Sequence, residues 1–383
     1  MTTKYDVIII GAGSVGVPLA YFLGKKGIKT LVIDSMPSPG QGSNKAAIGG
    51  IRATHSSPGK ILVGLKSLEI FRNWEKETGD NIEYYEGGYA FVTYRKEDRD
   101  SLKELVKYQR GFGLNIDFYE KDEILKIIPY LNPEGLLGGT YSPNDGSASP
   151  LLAIESFYRR AKASGVEFKF NEEVKGFEIS NNRISAVITN KEKYSGDIFV
   201  NAAGGNARDV AALAGVDVPV YPDSHEGGVT EPVARFLEPM IVDIKPEKGS
   251  KNFYFYQHKT GQIIFCLTPE PPIWGKDTRE TSVFLPMVAR RMITVMPKLK
   301  YIRVRRTWRG LYPMTPDGNP IVGYLGYSNF LQLVGMCGQG FMLGPGLGFY
   351  LSDYIEGKEY EEIKTILREF SPERKFESQE LLK

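Results

Sequence analysis

Three glycines and one aspartate near the start of the chain have the types and spacing that bind a dinucleotide. They are Gly11, Gly13 and Gly16, in the run GAGSVG, and Asp34. Gly11 permits a tight turn, Gly13 lets the backbone approach a pyrophosphate, and Gly16 lets a helix pack closely on a strand. A carboxylate about 20 residues further on accepts hydrogen bonds from ribose hydroxyls. The spacing therefore predicts a site for a dinucleotide whose ribose has a free 2′-hydroxyl.

The segments around these residues are typical of a strand, a helix and a second strand. An apolar run precedes Gly11, small residues follow Ser14, and a second apolar run from Thr30 to Ile33 ends at Asp34. A helix that begins near Ser14 directs its free N–H groups and the positive end of its dipole at the pyrophosphate. The chain is thus predicted to open with a βαβ unit.

A second turn of small residues lies far along the chain. The strand-like segment KYSGDIFVNAAG ends in this turn at residues 202–205, and a helix is predicted from Asn206 to Ala214. Close packing of a strand on a helix would explain the turn. However, a nicotinamide dehydrogenase needs only one glycine loop, whereas flavin proteins of this build bring a distant strand and turn beside the first. Together with the opening motif, the second turn favours FAD over NAD.

Composition excludes several classes of function. The chain has 383 residues, enough for two domains, and a formal net charge of +2 with 25% charged residues of both signs, which gives no signal for nucleic acid or an acidic membrane. Two distant cysteines and three histidines predict neither a disulfide framework nor a metal site. The apolar run before Gly11 is too short for a signal sequence or a membrane span. We therefore expect a cytoplasmic protein without a transmembrane segment.

The rest of the chain is predicted to mix helices with strand-rich segments. Apolar periodicity predicts helices over 61–78, 96–108, 121–130 and 151–164, and β structure over 82–94. Residues 218–309 are aromatic and strand-rich, which we interpret as part of a substrate domain. A glycine-rich loop from Gly335 leads into the last core helix. The charged tail beyond Lys358 is expected to form a surface helix and then to fray.

Several segments in a fixed order resemble the FAD-dependent amine oxidoreductases of the D-amino-acid-oxidase class. The segments that carry the resemblance are GAGSVG, the GGIR loop, SPNDGSASP, VNAAGG, HEGGVTEPV, RTWRGLYPMTPDGNPIVG and CGQGFMLGPGLG. Within the class, the chain is most similar to the β subunits of heterotetrameric sarcosine oxidases and of archaeal dye-linked L-proline dehydrogenases. The order and spacing of the segments, over nearly the whole chain, make the resemblance specific.

The resemblance implies an α/β fold, mixed in its sheets, with two discontinuous domains. A Rossmann-like FAD-binding domain would comprise residues 1–80, 146–217 and 310–383, and a substrate domain with an antiparallel sheet would comprise 81–145 and 218–309. The implied contacts to FAD are Gly11, Gly13, Gly16, Asp34, Ser43, Lys45, Val174, Ala203, Gly204, Gly310, Gly338, Gln339, Gly340, Phe341 and Met342. Backbone N–H groups in the last five, at a helix start, would stabilise negative charge on the reduced ring.

The reaction implied by the resemblance moves a hydride from the carbon beside an amine nitrogen to the flavin. Arg52, in the GGIR loop, would bind the substrate carboxylate or set the electrostatics of the ring, unless it is a surface arginine. His225 would accept the proton of the amine, or it is a structural histidine at the domain junction. Tyr254 and Tyr256 share one strand face, so that one of them would bind carboxylate or orient His225, unless both belong to an aromatic core. The pattern does not choose between the two tyrosines.

Three positions depart from the pattern of the class. Gly310 stands where single-chain sarcosine oxidases carry the cysteine that bonds the flavin, which predicts non-covalent FAD. Gln339 replaces a histidine and Met342 a lysine, which alters hydrogen bonding near the ring. We therefore expect a dehydrogenase for an L-proline-like or sarcosine-like substrate, a β-type subunit whose electrons pass to a carrier or an α-type partner subunit. The alternatives are a self-sufficient oxidase that releases peroxide and a non-catalytic FAD-binding assembly subunit.

Overall fold

The computed structural model describes residues 4–377 and 379–382, which form two large sheets and a two-stranded ribbon. The strands are β1 (Lys4–Ile10), β2 (Thr30–Ile33), β3 (Gly50–Ile51), β4 (Tyr89–Thr93), β5 (Asp117–Glu120), β6 (Gly138–Ser142), β7 (Gly146–Ser147), β8 (Glu167–Lys169), β9 (Val174–Ser180), β10 (Arg183–Thr189), β11 (Lys193–Asn201), β12 (Tyr221–Pro232), β13 (Met240–Asp243), β14 (Ser250–Gln257), β15 (Gln262–Pro269), β16 (Val304–Met314), β17 (Ile321–Tyr324) and β18 (Phe330–Val334). The α-helices are α1 (Gly16–Lys25), α2 (Pro58–Thr78), α3 (Lys96–Gly111), α4 (Lys121–Ile127), α5 (Pro150–Ala163), α6 (Ala207–Ala212), α7 (Phe284–Val295), α8 (Gly340–Ile355) and α9 (Glu361–Glu369). None of these helices is both long enough and apolar enough to cross a membrane.

The first sheet is mixed and has β1 near its centre. β1 pairs in parallel with β2 and β11, and these pair in parallel with β8 and β18. β17 lies antiparallel to β18, and β10 and β9 extend from β11 as an antiparallel pair. Helices α1, α2, α5 and α8 cover one face, and α6 contributes to the core on the other. This is the mixed α/β arrangement predicted from the sequence.

The second sheet is antiparallel at every pair of neighbours except β4 and β13. Its order is β16-β12-β15-β14-β13-β4-β6-β5. One face packs against α4 and α7 through residues such as Phe253 and Phe255. The opposite face carries Tyr89, Tyr254 and Tyr256. Tyr254 and Tyr256 therefore share a face, as their spacing predicts.

The strands of each sheet come from separate stretches of the chain. All strands of the first sheet lie within 1–80, 146–217 and 310–383. Those of the second sheet lie within 81–145 and 218–309, except that β16 continues to Met314. The division into two discontinuous domains stays a prediction, and the two sheets follow its boundaries closely.

The ends of β1, β11, α1 and α8 meet at glycines. A Cβ atom on Gly11 would lie 2.4 Å from the Ala202 carbonyl oxygen, and one on Gly16 would lie 2.0 Å from the Gly11 carbonyl oxygen. Gly11 also has a φ of +114°, which side chains disfavour. On α8, a Cβ atom on Gly344 would lie 1.9 Å from the Ser14 carbonyl oxygen. These contacts bring the two glycine turns and the start of α8 to one edge of the first sheet.

One expectation about secondary structure is confirmed with an exception, and another is wrong in part. The segment 218–309 is strand-rich as expected, but residues 284–295 form α7, which the sequence analysis does not predict. Phe284, Val288 and Met292 are buried at helical spacing, but Leu285 and Ile293 on the exposed side are apolar too, so no clean stripe marks the helix in the sequence. The β structure expected over 82–94 is confined to β4, apart from an isolated bridge at Tyr85.

The expectation that the tail frays after its helix is also wrong for Glu380 and Leu382. Helix α9 forms, but both of these later residues are buried. The Glu380 carboxylate lies 3.6 Å from the Lys60 ammonium, and neither side chain is exposed. It also accepts hydrogen bonds from the backbone N–H and hydroxyl of Ser56. A buried ion pair therefore fixes this part of the tail to the start of α2.

Glu380→Gln should destabilise the protein in a pH-dependent way. Burial alone raises the pKa of Glu380, but the cations Lys60 and Arg52 and the hydrogen bond from Ser56 outweigh it and hold the pKa below its usual range. A carboxyl with a lowered folded-state pKa stabilises the fold above its unfolded pKa and loses this contribution as pH falls through the folded value. The variant leaves Lys60 without its counter-charge, so the free energy of unfolding at pH 7 should fall by about 3 kcal/mol.

Denaturant unfolding of wild type and variant at pH 7 and at pH 3 measures this effect. The difference should shrink below about pH 4, because the Glu380 carboxyl binds a proton in the unfolded wild-type chain there while it stays ionised in the folded one. Glu373→Gln, at an exposed position of the same tail, is the control and should change little. Equal stability of Glu380→Gln and wild type at pH 7 would contradict the role of the ion pair.

Gly16→Ala and Gly13→Ala should separate folding from cofactor binding. The alanine at 16 collides with the Gly11 backbone, so the free energy of unfolding of the apoprotein should fall by about 2 kcal/mol or more. A Cβ atom on Gly13 meets no protein atom within 4 Å, so this variant should unfold like wild type. Its affinity for FAD should nevertheless fall at least about tenfold, because the methyl group blocks the approach of a pyrophosphate. Thermal unfolding and fluorescence titration with FAD check both expectations, and an equal loss of stability in the two variants would refute them.

Candidate cofactor and active site

The nucleotide end of the candidate site lies where β1 leads into α1. Helix α1 starts without a side-chain cap and without an acidic residue in its first turn. An uncapped helix N-terminus leaves backbone N–H groups that an anion satisfies. The open space beside Gly13 lies at the same place. These features fit the pyrophosphate of a dinucleotide.

Asp34 lies at the end of β2 and contacts the glycine turn. One carboxylate oxygen accepts the backbone N–H of Ala12 at 2.6 Å, and the other accepts that of Met36 at 2.8 Å. Burial raises the pKa of Asp34, and the two N–H groups oppose this rise. Asp34 thus holds the turn in shape, and its contact with ribose stays a prediction.

The second glycine turn follows β11, the parallel neighbour of β1. Gly204 has a φ of +55°, and a Cβ atom there would meet no protein atom within 4 Å. Ala203 is half-buried beside it, and Val174 is buried at the start of β9 in the core of the same sheet. Ala203 and Gly204 therefore lie at the edge of the sheet where the first turn lies.

Residues 43–46 form a short 3₁₀ turn that contacts β16. The Ser43 hydroxyl donates to the Leu311 carbonyl oxygen at 2.8 Å, while Lys45 is exposed. A Cβ atom on Gly310 would lie 2.5 Å from the Cβ atom of Ala46. Gly310 itself offers no side-chain atom that could bond a flavin. The covalent link of single-chain sarcosine oxidases therefore cannot form at this position.

The loop before α8 brings a second uncapped helix start to the site. Gly338 has a φ of +82°, and Gln339, the residue before the helix, makes no capping hydrogen bond with its side chain. The N–H groups at the start of α8, around Gly340, thus remain available to a carbonyl or anionic group. Phe341 and Met342, in the first turn, are buried. This arrangement suits the role that the resemblance implies for the loop.

Arg52 is buried, which excludes the surface alternative. It is 5% exposed, on a loop that β3 and β7 tie together. Its guanidinium donates to the carbonyl oxygens of Thr54 and Leu382, and to Nδ1 of His55 at 3.1 Å. Among the described residues, no carboxylate oxygen lies within 4 Å of it. The guanidinium is therefore a buried cation held by neutral acceptors.

The surroundings of Arg52 are aromatic, and the buried Glu380 carboxylate, which also faces Lys60, interacts with its charge from more than 4 Å away. The rings of Tyr89 and Phe91 lie 5.8 and 5.3 Å from the guanidinium. Burial lowers the pKa of His55 well below its usual value, and Arg52 lowers it further, so His55 is neutral. Burial raises the pKa of Asp145 to about 7, although the Ala53 N–H group and Arg52 oppose the rise. Neither neighbour fully balances the charge of Arg52 at neutral pH.

His225 lies on the second sheet in a cluster of polar side chains. Antiparallel pairing places Asp223 opposite Tyr312 and Tyr254 opposite Cys266, all on the same sheet face as His225. The His225 ring stacks on that of Tyr312 with 3.7 Å between centroids and 15° between planes. Nε2 of His225 lies 3.0 Å from a carboxylate oxygen of Asp223. His225 is thus held by a carboxylate and a tyrosine.

Tyr312 joins this cluster to the loop before α8. A Cβ atom on Gly338 would lie 2.1 Å from the Tyr312 ring, so the ring occupies the space that a side chain at 338 would need. The hydroxyls of Tyr312 and Tyr254 share a hydrogen bond. Burial, together with Cys266, raises the pKa of both tyrosines well above 10, and burial raises that of Cys266 to about 11. All three groups are therefore neutral at physiological pH.

Tyr254 and Tyr256 make different contacts. The Tyr256 hydroxyl donates to the Ile48 carbonyl oxygen at 2.6 Å, just before the GGIR loop. Tyr254 reaches the His225 cluster through Tyr312. Tyr256 is thus engaged in holding the loop, and Tyr254 is the tyrosine placed to orient groups near His225. Their catalytic roles stay predictions.

The structure also identifies site residues that the sequence analysis does not single out. They are Asp223, Tyr312 and Leu382. Asp223 is two residues before His225, so strand alternation predicts a shared face and could have indicated it. Tyr312 and Leu382 carry no such signal, because each reaches its partner only through tertiary contacts. Among the described residues, no hydrogen bond or ring contact joins Arg52 directly to His225.

Comparison with known proteins places this geometry in a family. Residues 6–354 match the DAO family, described as FAD dependent oxidoreductase. A dimethylglycine dehydrogenase from Rattus norvegicus is 27% identical over 92% of the chain, and the sarcosine oxidase subunit beta of Rhizobium meliloti is 25% identical over 90% of it. The match covers 43% of the first relative and 83% of the second, so the chain spans less than half the length of the dimethylglycine dehydrogenase.

A solved structure is similar over almost the whole chain. The crystal structure of L-proline dehydrogenase from P. horikoshii superposes with a TM-score of 0.88 at 30% identity, covering 96% of this chain and 99% of that one. The resemblance, the fold class and the cofactor expected from the sequence are confirmed. The chain belongs to the DAO family of FAD-dependent oxidoreductases, and FAD is its cofactor.

Proposed function

We propose that this chain oxidises an amino acid or secondary amine that carries a carboxylate, with L-proline-like and sarcosine-like compounds as substrates. The observation that carries the proposal is Arg52, a buried cation without a carboxylate within 4 Å among the described residues. A substrate carboxylate would supply a counter-charge in direct contact with Arg52 through a charge-assisted hydrogen bond. The names of the similar proteins, L-proline dehydrogenase, sarcosine oxidase subunit beta and dimethylglycine dehydrogenase, support the same substrate class.

In the proposed mechanism, each residue of the site has one role. Bound FAD supplies the acceptor for the hydride that leaves the substrate carbon. Arg52 orients the carboxylate, and the rings of Tyr89 and Phe91 beside it exclude water. His225 accepts the proton of the substrate amine, because only the neutral amine has the lone pair that assists hydride departure. Tyr254 keeps the His225 cluster in place through its hydrogen bond to Tyr312.

The electrons are proposed to leave through a carrier or a partner subunit. Met342 and Gln339 provide no cation beside the start of α8, where single-chain oxidases of the class carry a lysine. Neither of these two side chains offers a positive charge that would stabilise reduced oxygen species. The name of the sarcosine oxidase subunit beta supports a heteromeric assembly, and we propose an α-type subunit as the partner.

Anaerobic flavin bleaching tests the substrate class. The FAD-loaded protein should lose its visible flavin absorbance with L-proline or sarcosine, and much more slowly with L-prolinamide, which lacks the carboxylate that Arg52 recognises. Air should restore the colour slowly and with little peroxide, whereas an artificial dye should restore it fast. Failure of L-proline, sarcosine, dimethylglycine and glycine to bleach the flavin would refute the proposal, and rapid peroxide release would instead identify an oxidase.

Arg52→Lys should weaken binding of carboxylate substrates selectively. Loss of the paired guanidinium donors costs about 3 kcal/mol, so the substrate concentration for half-maximal flavin reduction should rise about 100-fold. The corresponding value for L-prolinamide should stay unchanged, because no carboxylate is present. Arg291→Lys is the matched control, since Arg291 is also buried but pairs with Asp243 on the opposite face of the second sheet. An equal effect of Arg52→Lys on both substrates would show that Arg52 does not bind the carboxylate.

A further inference from the structure

We propose that Asp223 is a positioning residue that keeps the proton of His225 on Nε2 and leaves Nδ1 as a free acceptor for the substrate proton. The inference deepens the proposed function and rests on it for the identity of the proton donor. Asp223 and His225 are 3% and 4% exposed, so water does not compete for their contact. Their 3.0 Å separation, from Asp223 Oδ2 to His225 Nε2, is that of a hydrogen bond.

The other oxygen of Asp223 is fixed by the backbone. Oδ1 accepts the N–H of Ile273 at 2.7 Å. The carboxylate is therefore held from both sides, and its Oδ2 can only accept from His225. Because an ionised carboxylate has no proton to donate, Nε2 must carry the hydrogen. The chain thereby selects one tautomer of the imidazole.

The remaining nitrogen of His225 has no partner. Nδ1 is buried and makes no hydrogen bond with any described residue. A buried polar atom without a partner costs about 1–3 kcal/mol, so such an atom is expected where a ligand completes the contact. The imidazole stacks on Tyr312, which in turn lies against Gly338 of the cofactor loop. The unpartnered nitrogen thus belongs to the face that carries the candidate active site.

The proposed step is a proton transfer without a change of oxidation state. The N–H bond of the substrate ammonium breaks, its electron pair stays on the amine nitrogen, and the proton forms an Nδ1–H bond on His225. The resulting imidazolium lies beside the Asp223 carboxylate, which balances its charge. The neutral amine then has the lone pair that assists departure of the hydride to FAD.

Asp223→Asn tests the inference because the backbone dictates the orientation of the new amide. The amide oxygen must face the Ile273 N–H, so the NH₂ group faces Nε2 of His225. Two donors cannot share that contact, and the imidazole proton should move to Nδ1. The rate constant for flavin reduction should fall about 10²- to 10⁴-fold, while the half-saturating substrate concentration and the affinity for FAD change less than about threefold.

Nitrogen NMR of the holoprotein with labelled histidine measures the tautomer without substrate. The chain has three histidines, and His55, whose Nδ1 accepts from Arg52, should keep its signals in the variant as an internal reference. Wild-type His225 should show a protonated Nε2 and a bare Nδ1, and the variant should show the reverse. Asp277→Asn, at an exposed position on the segment that contains Ile273, is the matched control and should change neither spectrum nor rate.

The two readouts separate this inference from the proposed function. A bare Nε2 in wild-type His225, or an unchanged tautomer in Asp223→Asn, would overturn the role of Asp223 whatever the substrate is. Unaltered flavin reduction by the variant despite a switched tautomer would overturn the role of Nδ1 as proton acceptor. If no amine reduces wild-type flavin, the proposed function fails, and the NMR result alone then decides whether Asp223 sets the tautomer.

Discussion

The contact of backbone with backbone at Gly11, Gly16 and Gly344 is the constraint on which the rest of the site depends. At each position a Cβ atom would lie within 2.4 Å of a carbonyl oxygen, so no other residue permits the same approach. The contacts bring the starts of α1 and α8, both without side-chain caps, to one edge of the first sheet. An extended cofactor can therefore meet one helix N-terminus at its pyrophosphate and another at its ring. The shape of the site thus depends on these three positions having no side chain.

The second sheet is held against this edge by a few specific contacts. The Tyr312 ring lies against Gly338, the Ser43 hydroxyl donates to the Leu311 carbonyl oxygen, and the Tyr256 hydroxyl donates to the carbonyl oxygen before the GGIR loop. In each case a residue of the second sheet contacts a loop that belongs to the predicted FAD-binding part of the chain. Since Tyr312 also stacks on His225, displacement of the loop would displace the imidazole. The positions of the predicted cofactor contacts and of the predicted proton acceptor are therefore coupled through one aromatic ring.

Local patterns in the sequence predict the parts of the structure that local physics determines. The glycine spacing and Asp34 identify the βαβ unit, because the geometry of the unit and its ligand requires each of these residue types at its position. Alternation along β14 predicts that Tyr254 and Tyr256 share a face. By contrast, α7 has apolar residues on its exposed side, which hides its period. The burial of Glu380 depends on its ion pair with Lys60, which lies 320 positions earlier in the sequence. No local pattern in a charged tail reveals such a partner. The roles of Arg52 and His225 stay predictions for a related reason, because they depend on a substrate that sequence patterns do not describe.

In the proposed site, the residue that binds the charged carboxylate differs from the residue that accepts a proton. Tyr254, Tyr312 and Cys266 have pKa values raised far above neutral pH, so these groups stay protonated and cannot accept a proton from an amine. Arg52 is the residue that we propose to bind the substrate carboxylate, through its guanidinium donors. Among the described residues on this sheet face, His225 has both an unpartnered nitrogen and a carboxylate next to its other nitrogen. Because the proposed proton comes from the substrate ammonium, its transfer to His225 leaves the total charge of the site unchanged. The Asp223 carboxylate, 3.0 Å from Nε2, then stabilises the imidazolium that forms.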